Sequence, residues 1–130
     1  MILLDTSVAI PIRDMDSRIL AIAEPFWRSP CISVITRIEL EGGATGSDPR
    51  RARLLEAFLA SVNILNLTLA EAEHYRRIVR TTGFSRRKLL DRLIAATALV
   101  HGLALATMNP ADFTDVPGLE VLDWAEGGDR

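Results

Sequence analysis

A chain of 130 residues, 48% hydrophobic and 25% charged, is long enough for one sizeable core and short for two domains. Its formal net charge of −2 excludes an overall basic field, so any affinity for nucleic acid must come from local arrangement. The single cysteine, Cys31, excludes an intramolecular disulfide, suits a reducing compartment, and reads as a small core residue.

Ile2–Leu4 is an apolar run before a polar turn and predicts a buried strand. Asp5 interrupts that run too early for a secretory leader, which favours a cytoplasmic location. Thr6–Ile12 predicts a short helix limited by Pro11, and Ser17–Trp27 a second helix stopped before Pro30. Cys31–Ser33 predicts a strand. Thr36–Glu39 has the spacing of a capping box, so a helix is expected to open there and close at Gly42 and Gly43. After a loop, Arg50–Ala60 carries Leu54, Leu55, Phe58 and Leu59 on one side of a helix. Val62–Leu67 is strand-like, and Thr68–Glu71 is a second capping box, opening a helix that Gly83 closes. Ser85 is expected to cap a helix over Arg86–His101 that ends at Gly102. Leu103–Ala106 and Val121–Leu122 predict the last strands. The apolar stretch Leu93–Met108 is too short and too broken by His101 and Gly102 to span a membrane. Residues 1–125 read as one domain, and residues 126–130 as a flexible tail.

Strands alternating with helices predict an α/β fold with a mainly parallel central sheet and helices on both faces. Ligands in such sheets sit beyond the carboxyl ends of the strands. Asp5 and Asn109 each follow a predicted strand. Each candidate residue has an ordinary structural use as well. Asp5 either caps the next helix or, with Thr6 or Ser7 capping, is free to bind a ligand. Glu39 either closes its capping box or serves a site, and spacing alone does not separate it from Glu71. Asp91 stands at the edge of a helical face formed by Ile94, Ala95 and Ala98, where an acid needs a cation; Arg87 at i−4 is one candidate. Asn109 is a natural N-cap, and Asp112 follows in the same turn. Carboxylates at such strand and helix ends are costly to bury unless a cation neutralises them, and Mg²⁺ is the usual one in phosphate chemistry. The basic clusters at Arg50, Arg51 and Arg53, at Arg76, Arg77 and Arg80, and at Arg86, Arg87, Lys88 and Arg92 are either solvated helix faces or a phosphate-contact surface.

Taken together, "LLDTS", "SVITRIELEGG", "DRLIAATAL" and "LATMNPADF…PGLEVLDW" resemble the motifs of PIN-domain nucleases, closely the VapC-type toxins of bacterial toxin–antitoxin pairs. The resemblance runs from about Ile2 to Trp124. It implies a three-layer α/β/α sandwich with a central parallel sheet. It also implies catalytic, metal-binding acids at Asp5, Glu39 and Asp91, and a fourth position in the segment holding Asn109 and Asp112. Family members often carry Asp where this chain has Asn109, which leaves the fourth ligand open between the two. The implied activity is Mg²⁺- or Mn²⁺-dependent hydrolysis of structured RNA such as tRNA or ribosomal RNA. A cognate antitoxin, a homodimer and a toxin–antitoxin hetero-oligomer are the implied assemblies. Thr6, Ser7, Thr36 and Thr107 are candidate hydrogen-bond donors to the phosphate. The rival readings are a DNase of the same fold and a non-catalytic PIN-like module that only binds RNA or protein. A receiver domain or a dehalogenase-like phosphatase fits poorly, because Thr6 and Ser7 stand where their second early acid belongs.

Overall fold

The computed structural model describes residues 1–44, 46 and 48–125. The expected tail, residues 126–130, lies outside the described residues. Five strands, β1 (Ile2–Leu4), β2 (Cys31–Ser33), β3 (Asn63–Leu65), β4 (Ala104–Thr107) and β5 (Val121–Asp123), form one sheet in the order β3-β2-β1-β4-β5. Every pairing is parallel. The helices are α1 (Thr6–Arg13), α2 (Ser17–Ala23), α3 (Val34–Gly43), α4 (Pro49–Ala60), α5 (Leu69–Thr82) and α6 (Leu89–His101).

Alternation along the strands divides the core in two. Ile2, Leu4, Ile32 and Ala106 pack with Val8 and Ile12 of α1, Ile19 of α2, Leu40 of α3 and Phe58 of α4. Leu3, Cys31 and Leu105 face the other way, against Ile78 of α5 and Ile94, Ala95 and Ala98 of α6. The alanines of α6 bring that helix close to the sheet, so strands buried on both faces read as continuous apolar runs. This is the three-layer α/β/α sandwich the sequence predicts. Cys31 is buried in it, as expected. Among the described residues no helix is long and apolar enough to cross a membrane.

The chain moves outward from β1 through β2 to β3, then returns to place β4 on the opposite side of β1. The connections after β1 and β4 therefore diverge to opposite faces. Such a switch point, beyond the carboxyl ends of β1 and β4, is where α/β sheets hold ligands.

Several element ends shift by one or two residues from expectation, and three helix-boundary differences have a clear physical reason. The helix expected through Trp27 ends at Ala23 and gives way to a 3₁₀ turn over Glu24–Phe26, because Pro25 has no N–H for the helical ladder. α3 opens at Val34, not Thr36: Ser33 ends β2 and its Oγ accepts from the Ile35 N–H at 3.0 Å. A serine at the strand end is a strong N-cap and leaves Thr36 inside the helix. The last long helix begins at Leu89, with Lys88 rather than Ser85 at its N-cap. A helix opening at Arg86 would set Arg86, Arg87 and Lys88 against the positive end of its dipole. Starting at Leu89 instead places Asp91 in the first turn, where an anion is favoured.

Candidate active site

Asp5 directly follows β1 and is buried. Its backbone N–H continues the sheet ladder to the Ala106 carbonyl at 2.9 Å, and its own carbonyl receives the Val8 and Ala9 N–H groups at 3.0 Å each. The side chain does not cap α1, and neither Thr6 nor Ser7 does so in its place. Instead Asp5 Oδ2 accepts from Ser7 Oγ at 2.7 Å and from Thr107 Oγ1 at 2.8 Å. Each hydroxyl has one proton, and each spends it on Asp5. Their oxygens then accept backbone N–H groups, Ser7 from Met108 and Thr107 from Asn109, both at 3.0 Å. Two strand ends, β1 and β4, are thereby pinned to one carboxylate oxygen. The other, Oδ1, is without a hydrogen bond among the described residues.

Glu39 reaches the same end of the sheet from α3. It closes no capping box. Its Oε1 accepts from Thr6 Oγ1 at 2.7 Å, and Thr36 Oγ1 lies 2.9 Å from Thr6 Oγ1. With the Thr6 proton committed to Glu39, Thr36 is the donor of that pair. A relay from buried Thr36 through Thr6 thus aims exposed Glu39. Glu71, which has the same sequence spacing, does cap: it accepts from the Thr68 N–H at 2.7 Å and also from the Thr68 hydroxyl. Glu71 is fully buried, and its Oε2 lies 3.4 Å from His101 Nε2.

Asp91 is half-buried in the first turn of α6. Its carboxyl is pushed up from the ordinary 3.8 to about 6, first by burial, then by the negative charges of Asp5, Asp112 and Glu39. Lys88 opposes the shift. Four acids from four separated segments therefore lie within one another's field. The cation beside Asp91 is Lys88 rather than Arg87, the candidate named from spacing. Because α6 starts only at Leu89, Arg87 lies outside the helix and i,i+4 spacing does not apply to it. Asp112 is half-buried in a 3₁₀ turn over Pro110–Asp112. Asn109 is exposed, and its side chain does not cap that turn.

The structure thus gathers Asp5, Glu39, Asp91 and Asp112, together with Thr6, Ser7, Thr36 and Thr107. In this arrangement the hydroxyls orient carboxylates, directly or through one another, because their protons are already committed. Sequence reading named Lys88 only as one of a basic cluster and did not single out Asp115. An all-oxygen donor set of this charge suits a hard divalent cation. Among the described residues no three acidic, histidine or cysteine side chains are grouped tightly enough for a closed protein cage. Mg²⁺ does not require one, since it keeps several of its waters and takes one or two carboxylates directly.

Residues 2–119 match the PIN domain family. The chain is 34% identical over 96 residues to ribonuclease VapC1 of Rickettsia felis, covering 68% of this chain and 70% of that one. It is 31% identical over 105 residues to the tRNA(fMet)-specific endonuclease VapC of Salmonella typhimurium, covering 72% and 74%. Its fold matches a chain of a toxin–antitoxin complex from Klebsiella pneumoniae with a TM-score of 0.76 and 28% identity, over 92% of this chain and 95% of that one.

Proposed function

The chain belongs to the PIN domain family, and on that premise we propose that it is a metal-dependent endoribonuclease, the toxin of a toxin–antitoxin pair. Four carboxylates from four segments meet beyond the ends of β1 and β4, with Asp5 held by Ser7 and Thr107, Glu39 held by Thr6, and half-buried Asp91 in the field of Asp5, Asp112 and Glu39, and this carries the reading. The relatives named as a ribonuclease and a tRNA endonuclease support RNA as the substrate, and the toxin–antitoxin complex supports an antitoxin partner. A purely binding module accounts less well for so many acids held at one point against their mutual repulsion, and the names of the two relatives favour RNA over DNA.

Asp5 and Asp91 would hold a Mg²⁺ or Mn²⁺ ion, with Glu39 and Asp112 orienting its waters. When bound, the ion supplies charge neutralisation and Lewis-acid activation for phosphodiester hydrolysis. Ser7 and Thr107 keep Asp5 in one rotamer, and Thr6 does the same for Glu39, so little reorganisation remains when substrate arrives. Asn109 lies at the rim, where its amide is available to substrate. Lys88 places one positive charge beside the acids and favours the approach of an RNA phosphate. Exposed Met15, Ile38, Leu69 and Phe84 leave apolar area that one copy does not cover, which supports a homodimer and an antitoxin complex. A cellular tRNA or ribosomal RNA substrate would place its action in the cytoplasm.

Expression of the chain alone should arrest bacterial growth. Co-expression of the small DNA-binding protein expected from the adjoining reading frame should restore it. Growth curves with and without that partner check this, and normal growth at high levels of the soluble chain would contradict the toxin assignment.

A further inference from the structure

Arg92 is the residue after Asp91, yet its side chain is only 4% exposed. Its Nη1 donates to Thr82 Oγ1 at 2.6 Å, at the end of α5. Its Nη2 donates to Asp115 Oδ2 at 3.1 Å, and Lys88 Nζ lies 4.0 Å from the same oxygen. The Nε group is buried without a partner among the described residues. Burying a guanidinium with one N–H unmet is a poor way to stabilise a core; an apolar residue of similar volume usually does as well or better. A role in placement accounts for its retention. Asp115 belongs to the loop that carries Asp112 three residues earlier. Phe113 and Val116 bury that loop in the core beneath α6. The Asp115 contacts tie it to the one turn of α6, Lys88 to Arg92, that also carries Asp91.

We propose that Lys88 and Arg92 form a clamp on Asp115 that sets the position of Asp112 relative to Asp91. They are positioning residues, since they act through the loop rather than on the reacting atoms. The proposal rests on the reading of Asp91 and Asp112 as members of one metal site.

The test is Mn²⁺ binding to the full chain, followed by calorimetry, with thermal melting of the same samples. Asp115→Ala should weaken Mn²⁺ binding by about tenfold, the scale of outer-shell effects on metal affinity. Asp115→Asn keeps an acceptor for Arg92, so it should fold as the wild type and weaken binding by less. Thr82→Val removes the other Arg92 bond; it should lower the melting temperature and leave Mn²⁺ binding unchanged. Asp112→Asn should weaken binding at least as much as Asp115→Ala. If Asp112→Asn weakens binding and both Asp115 variants do not, the clamp is overturned and the site stands. If Asp112→Asn has no effect, the assignment of Asp112 fails and the clamp with it. Equal weakening by Thr82→Val would show general loosening and also overturn the clamp.

Discussion

Asp5→Asn and Asp91→Asn should each lower RNA cleavage by about a hundred- to a thousandfold, the scale seen when an electrostatic stabiliser of a charged transition state is removed. The fold should survive both changes. In Asp5→Asn the amide oxygen can still accept from Ser7 and Thr107, so the strand ends remain pinned. Asp91→Asn should do more than survive. The Asp91 carboxyl titrates at about 6 in the folded chain against 3.8 ordinarily. A raised carboxyl means that the folded state favours the protonated form. Without metal, the Asp91 contribution to wild-type stability should therefore fall as pH rises from about 4 through 6 and stay lower above that, a loss that Asp91→Asn should not show. A neutral amide mimics the protonated acid, so Asp91→Asn should melt higher than wild type at neutral pH in metal-free buffer. Adding Mn²⁺ should reverse the order, because an ion that binds only the folded wild-type site stabilises it by mass action. Thermal melts with and without Mn²⁺ across this pH range check the stability half. Wild-type turnover by either variant would show that residue to be an ordinary structural acid.

The second large effect separates two glutamates that the sequence presents alike. Glu39→Gln should leave stability nearly unchanged, since the residue is exposed and Gln can still accept from Thr6. Cleavage should nonetheless drop by roughly ten- to a hundredfold, as for loss of a group that orients metal ligands or their waters. Glu71→Gln should do the reverse. It keeps the capping acceptor but turns an amide toward His101 in a fully buried position, so stability should fall by roughly 1–3 kcal/mol. Cleavage per folded molecule should remain at the wild-type level. Melting curves and initial rates on one RNA decide this, and a stability loss confined to Glu39→Gln would return Glu39 to a structural role.

The pair also marks what was legible in the sequence. Identical spacing at Thr36–Glu39 and Thr68–Glu71 predicts two capping boxes, and the structure contains only the second. A capping box is a local signal, and it holds where nothing longer-range competes. At α3 the sheet competes: β2 ends at Ser33, the helix must begin immediately to cover the strands, and Thr36 is drawn into the interior to meet Thr6 of α1. That contact spans 30 residues, and no local pattern encodes it. The apolar runs at Ile2–Leu4 and Cys31–Ser33 and the closures at Gly83 and Gly102 were readable because burial and backbone conformation act within a few residues. The start of α6 was less readable, since it depends on weighing a serine cap against three consecutive cations at a helix end. That boundary decides which cation faces Asp91. Strand ends alone suggested that Asp5 and Asn109 converge, whereas adding Glu39 and Asp91 to one site took the family resemblance, because each acid alone has a sound structural use.

Metal-dependent cleavage is the most direct test of the site. Purified chain, freed of antitoxin, would be incubated with a structured RNA in Mg²⁺, in Mn²⁺ and in excess EDTA, with Asp5→Asn and Asp91→Asn prepared alongside to expose contaminating nuclease. The account predicts cutting at few positions in either metal, none in EDTA, recovery when Mn²⁺ is returned, and none from the variants. Undiminished cleavage in EDTA, with both variants inactive, would contradict a metal site built on these carboxylates.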